Sequence, residues 1–142
     1  MAAARHLVTV WNPTYAGDAL EAHLRVLLDW DARATAGSCT DDEAYVWWGK
    51  VRSSQRQQPM PHLTDILALA HDAEADANES RETHLYLTDY RSLYVADVTH
   101  IDLTDPRTDD AAHVPGYYGR DGLNCDCWFL LRDIRALVRD DL

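Results

Sequence analysis

The sequence predicts an α+β domain built on a small mixed or antiparallel sheet flanked by three helices. Three observations carry that expectation. Alternation and turn residues mark a β-hairpin over Thr83–Ile101, apolar residues recur at helical spacing in two separate places, and repeated strand–helix–strand units are missing. The 142 residues fit one domain, so residues 1–142 are read as a single unit.

The elements follow in order. His6-Leu-Val-Thr-Val-Trp11 is rich in β-branched residues and reads as a strand, broken by Asn12-Pro13. Asp18 can cap a helix, with Glu21 three residues on, and Leu20, Leu24, Leu27 and Leu28 follow at helical spacing. A helix is therefore expected over Asp18–Arg33, ending at Gly37-Ser38. Residues 43–51, Glu-Ala-Tyr-Val-Trp-Trp-Gly-Lys-Val, read as the second strand. An extended backbone places Tyr45, Trp47 and Gly49 on one face and Val46, Trp48 and Lys50 on the other. Arg52–Pro61 has no periodicity and two prolines, so it reads as a loop. Leu63, Ile66, Leu67 and Ala70 then predict a second amphipathic helix beginning near Pro61, followed by a polar stretch, Asp72–Glu82. Thr83–Asp89 and Leu93–Ile101 are the arms of the hairpin, joined at Tyr90-Arg91-Ser92. Asp102–Arg120 reads as a long loop, and Asn124–Phe129 as a last strand. That strand is expected to pass into a short helix carrying Leu130, Ile134, Leu137 and Val138.

Composition narrows the function classes. A net charge of −11 argues against the whole surface serving as a footprint for nucleic acid or an anionic membrane. Twelve of the 13 basic residues are arginine and only Lys50 is lysine, a bias that fits GC-rich coding. No apolar run approaches the length that crosses a bilayer, so no membrane partner is expected. Three cysteines, an odd number, and an N-terminus that reads as a strand rather than a signal peptide make the cytoplasm the expected compartment.

Local charge is more telling than the total. From Ala44 to Thr64 the chain has three basic residues, Lys50, Arg52 and Arg56, and no acidic one, while the remainder has 10 basic and 24 acidic residues. The same stretch holds Tyr45, Trp47 and Trp48, then Ser53, Ser54, Gln55, Gln57 and Gln58. Aromatic faces stack planar bases, amides read polar edges, and guanidinium or ammonium groups meet phosphate. Tyr45, Trp47, Trp48, Lys50, Arg52, Gln55, Arg56 and Gln57 are thus the candidate ligand-binding residues. Tyr118, beside Tyr117 in the long loop, is read as a stacking residue and lid over a pocket, with local loop packing the alternative, and Tyr90 as an exposed contact at the hairpin turn. The competing reading makes Trp47 or Trp48 core.

Catalytic and metal chemistry finds less support, and no catalytic residue, metal or cofactor is expected. Cys125 and Cys127 are placed by alternation on one face of a strand. With Cys39 and a histidine such as His113 they would supply three thiolates and an imidazole, but the Cys-x-x-Cys spacing of structural zinc is missing. His62-Leu63-Thr64 matches half of a two-histidine phosphoesterase pattern, and its second copy is absent. Nucleophile elbow, phosphate-binding loop and dinucleotide glycine motifs are absent too. Asp102, Asp105, Asp109 and Asp110 do not match EF-hand spacing and read as a solvated loop. The chain reads as a binding module rather than an enzyme.

Trp47-Trp48-Gly49-Lys50 and the hairpin with its Leu93-Tyr-Val-Ala-Asp-Val98 run resemble parts of the PUA superfamily, which includes EVE, ASCH and YTH domains. The resemblance covers about a third of the chain and implies a distorted barrel flanked by helices. It also implies a pocket that reads a nucleotide or modified base, with Trp47, Trp48, Gly49 and Lys50 at its edge and a role in prokaryotic nucleic-acid defence. The acidic surface and the Cys125-Asp-Cys-Trp128 segment depart from that pattern. The alternative is an acidic protein-interaction subunit, a regulator, inhibitor or adaptor of a defence or CRISPR-linked complex, binding a partner with a basic surface.

Overall fold

A computed structural model describes residues 5–10, 19–52 and 83–138. Among these residues five strands form one curled, mixed sheet in the order β1-β3-β4-β5-β2. They are β1 (Arg5–Val10), β2 (Val46–Val51), β3 (Thr83–Thr88), β4 (Leu93–Asp102) and β5 (Cys125–Val138). β1 runs parallel to β3, with Leu7 opposite Leu85, and every other pairing is antiparallel. One long helix, α1 (Ala19–Thr35), packs on the sheet, and two single-turn helices, α2 (Pro106–Asp109) and α3 (Tyr117–Arg120), lie between β4 and β5. The expected α+β class with a mixed sheet is what the chain adopts. The predicted helix near Pro61–Ala70 lies outside the described residues.

Helix α1 forms because Leu20, His23 and Leu27 recur along one face and bury there, while Glu21, Arg25, Leu28 and Asp29 face solvent. It ends in a Schellman motif. Gly37 takes φ +79°, its N–H bonds the Ala34 carbonyl at 3.1 Å, and the Ser38 N–H bonds the Arg33 carbonyl at 2.9 Å. The main core lies between α1 and the inner face of the sheet. It joins Leu20 and Leu27 to Val46, Trp48, Leu85, Leu87, Ala96, Val98, Phe129 and Leu131.

The C-terminal segment corrects an expectation. β5 is one strand through Val138, not a strand passing into a helix. Leu130, Ile134 and Val138 pair with His100, Ala96 and Leu93 of β4. β5 is an interior strand, and residues 126–131 are buried on both faces, one against α1 and the other against the segment 105–123. An unbroken apolar run of that kind has no period to separate a buried strand from a buried helix.

A bulge where β2 meets β5 produces the second correction. Gly49 pairs with Trp128 and Val51 with Cys125, so β5 carries one extra residue. Strict alternation would put Cys125 and Cys127 on the same face. The bulge turns Cys125 toward Trp128 and Tyr118, while Cys127 enters the main core. Next to the bulge Arg52 donates to Asp126 at 2.6 Å, and the Asp126 side chain is fully enclosed.

A candidate binding face at the edge of the sheet

The long connection between β4 and β5 is ordered by Arg107. Its guanidinium pairs with both oxygens of Asp105, donates to the carbonyls of Tyr118 and Leu123 at 3.0 and 2.7 Å, and lies over the Trp128 ring. The Arg107 hydrogen bonds hold the Asp105 carboxyl below its ordinary range, against an opposing contribution from burial. Asp105 also caps α2 through the Arg107 N–H, with Pro106 at the first helical position. This fastening lays the segment over the β2–β5 pair, so both faces of β2 are covered.

Under the segment lies a buried polar network. Tyr118 is fully enclosed. Its hydroxyl stands 3.0 Å from His23 Nε2 and accepts from the Gly49 N–H at 2.9 Å. His23 Nδ1 is 2.6 Å from the Ala19 carbonyl, an acceptor, so Nδ1 carries the proton and Nε2 accepts from Tyr118. Trp48 stacks on the imidazole with centroids 4.0 Å apart. Burial pushes His23 down to about 3 and the Tyr118 phenol well above its ordinary value.

At the start of β2 one carboxylate holds three rings, and a fourth stacks on them. Asp110 accepts from Tyr45 Oη at 2.6 Å, Trp47 Nε1 at 2.8 Å and His113 Nδ1 at 3.0 Å. His113 Nε2 stands 2.8 Å from the Glu43 carbonyl, so both ring nitrogens face acceptors. His113 stacks on Tyr45 (3.8 Å, 8°) and on Trp30 (4.1 Å, 12°). Arg33 lies 4.6 Å over the Trp30 ring, and Arg132 lies 5.8 Å over Tyr45. The layers run Arg33–Trp30–His113–Tyr45–Arg132, with a guanidinium at each end of the ring stack. Trp30 Nε1 donates to the Ala112 carbonyl, and burial, followed by the bond to Asp110, raises the Tyr45 phenol.

The surface around these rings is acidic. From Asp29 to Glu43 the chain has five acidic residues, all exposed, and one basic residue, Arg33. Partial burial, then the nearby charges of Asp133 and Asp41, raise the Asp31 carboxyl.

The sequence-predicted residues end in different surroundings. Tyr45 and Trp47 stand together, half-buried, with their polar atoms on Asp110; Lys50 is half-buried farther along β2. Trp48 and Tyr118 are inside the protein, 3% and 0% exposed, so their rings serve packing and leave no open stacking surface. Tyr118 is thus no lid, because its hydroxyl is spent on the His23–Gly49 network. Arg52 is held by Asp126, and Tyr90 is exposed at the hairpin turn. Gln55, Arg56 and Gln57 lie outside the described residues. Sequence reasoning missed Trp30, Asp110 and Arg132, and assigned His113 only a possible metal role. A tryptophan on the polar half of α1, one turn from Arg33, was the available signal for the first.

Cys39, Cys125 and Cys127 are free thiols, and burial pushes Cys125 and Cys127 up to about 12. Among the described residues no group of three His, Cys, Asp or Glu side chains is placed to hold a metal ion, and no helix is long and apolar enough to cross a membrane. Comparison with family models, curated proteins and solved structures finds no match to this chain.

Proposed function

We propose that the chain is a non-enzymatic binding module that engages a basic protein partner through the rings held by Asp110. The observation that carries this reading is the pre-organisation of Trp30, Tyr45 and Trp47. Their orientations are set by hydrogen bonds and stacking before any partner arrives. Interfaces concentrate binding energy in such rigid aromatic anchors, surrounded by a polar rim. The rim here is acidic, which draws a basic partner and speeds encounter.

An arginine-rich synthetic peptide titrated against tryptophan fluorescence tests the proposal. Binding should weaken as salt rises and fall sharply when Asp41, Asp42 and Glu43 become Asn, Asn and Gln, with folding unchanged. Binding indifferent to that triple substitution would remove the acidic rim from the argument.

A PUA-like reader of a nucleotide or modified base is the second reading. It is favoured by Tyr45 and Trp47 keeping partial exposure while a guanidinium, that of Arg132, already lies over the Tyr45 ring. Titration with nucleotides and single-stranded oligonucleotides separates the two. A response to these with none to the peptide selects the reader.

A further inference from the structure

At the α1 end of the ring stack the chain supplies a stand-in for a ligand. His113 closes one face of the Trp30 indole, with centroids 4.1 Å apart. Arg33 covers the ring as well, its guanidinium 4.6 Å from the ring centre. Arg33 is exposed, and among the described residues its guanidinium makes no ion pair or hydrogen bond. An acid stands within its reach: Asp29 lies four residues earlier on α1, the spacing and order that favour a helical ion pair. A basic residue in the last turn also suits the helix dipole wherever its head group points. Neither effect accounts for a guanidinium over the indole. The ring face itself draws that cation, at an exposed position where the attraction is reversible.

The two ends of the stack differ. Arg132, over Tyr45, is half-buried, and its Nη1 donates to the Asp41 carbonyl at 3.5 Å. Arg132 is thus tied to the backbone, whereas the Arg33 side chain can swing toward Asp29. Carboxylates gather at the Arg33 end. The turn Asp41–Glu43 is seated against the stack by the Glu43 carbonyl, 2.8 Å from His113 Nε2, and its three side chains are exposed. Partial burial, then the charge of Glu43, raise the Cys39 thiol, with Asp41 adding to the rise and Arg33 opposing it, so all three charges lie close to that cysteine. The Cys39 thiol in turn stands 3.9 Å from the Trp30 carbonyl. A guanidinium arriving at Trp30 therefore meets an aromatic face and carboxylates together, while a phosphate meets repulsion.

We infer that the face of Trp30 under Arg33 is the subsite for an arginine side chain of the basic partner, and that Arg33 occupies it until the partner arrives. The inference rests on reading the rings as a site for a basic protein and names the side chain they take. On binding, Arg33 leaves the ring for Asp29, and the partner's guanidinium takes its place beside the carboxylates of Asp41 and Glu43. Arginine is selected over lysine because its planar, weakly hydrated group stacks on an aromatic face, whereas an ammonium keeps its water.

The arginine-rich peptide and a counterpart with every arginine changed to lysine carry the same charge, so long-range attraction treats them alike. Calorimetric titration of both into the full chain and into Arg33→Ala, Arg25→Ala and Trp30→Leu tests the inference. The wild type should bind the arginine peptide more tightly. Arg33→Ala should widen that preference by about two- to fivefold, the scale of an exposed cation–π contact, because the ring face is vacated. Arg25→Ala removes the same charge from an exposed position about two turns earlier on α1, so it should tighten both peptides alike and leave the preference unchanged. Trp30→Leu should narrow the preference below that of the wild type. An Arg33→Ala preference no wider than that of Arg25→Ala, or a Trp30→Leu preference as wide as the wild type's, overturns the inference while the basic-partner reading stands. If neither peptide binds the wild type or Arg33→Ala, that reading falls and the inference with it.

Discussion

Asp110→Ala should be among the most damaging substitutions of a partly exposed residue in this protein. The carboxylate is the shared acceptor of Tyr45, Trp47 and His113, at 2.6, 2.8 and 3.0 Å. A hydrogen bond to a charged group contributes about 1.5–3 kcal/mol when well sheltered. The Asp110 side chain is 30% exposed, so water can replace part of each lost bond, and about 1 kcal/mol apiece is the appropriate scale. The three donors together give a loss of about 3 kcal/mol. His113 also loses the acceptor facing its Nδ1, which loosens the stack on Trp30 and Tyr45. Urea unfolding followed by tryptophan fluorescence measures this as a lower midpoint at unchanged slope. Asp110→Asn keeps one carbonyl oxygen for Tyr45 and Trp47 but turns its amide toward His113, so it should recover roughly half of the loss. An alanine variant within about 0.5 kcal/mol of wild type would refute the view that this carboxylate holds the rings, since a shift that small is typical of an ordinary surface change. Asparagine no better than alanine would refute the assignment of the bonds.

Two further outcomes follow from the buried side of β2. His23 has a folded-state value of about 3 against 6.5 when unfolded, so below pH 6.5 the unfolded chain takes up a proton that the folded chain refuses. Stability should therefore fall as pH drops from 6.5 toward 3, by up to about 1.4 kcal/mol per unit, and His23→Gln should flatten that slope while lowering stability at pH 7. A methyl group at Gly49 would stand 2.7 Å from Cys125 Sγ and 2.8 Å from the Trp128 ring, so Gly49→Ala should cost about 2 kcal/mol in the same urea assay, with Cys125→Ala restoring part of it.

Elements whose physics is local were legible before any tertiary contact was known. The hairpin was legible from alternation and turn chemistry, and α1 from the spacing of Leu20, Leu24 and Leu27 and the glycine stop at Gly37. The charged and aromatic character of β2 was equally plain, as was the choice it posed between Trp47 and Trp48. Tertiary structure settled that choice, because only packing says which face of a strand meets α1, and it placed Trp48 there beside His23. It also decided the course of β5, whose both-faced burial erases the period that would mark it as a strand, and the bulge that parts Cys125 from Cys127. The candidate face was the least legible part of the molecule. Asp110 and His113 stand more than sixty residues from Tyr45 and Trp47 in the chain, and Trp30 comes from a helix. No local pattern records a carboxylate that meets its three donors only after the segment between β4 and β5 folds back across the sheet.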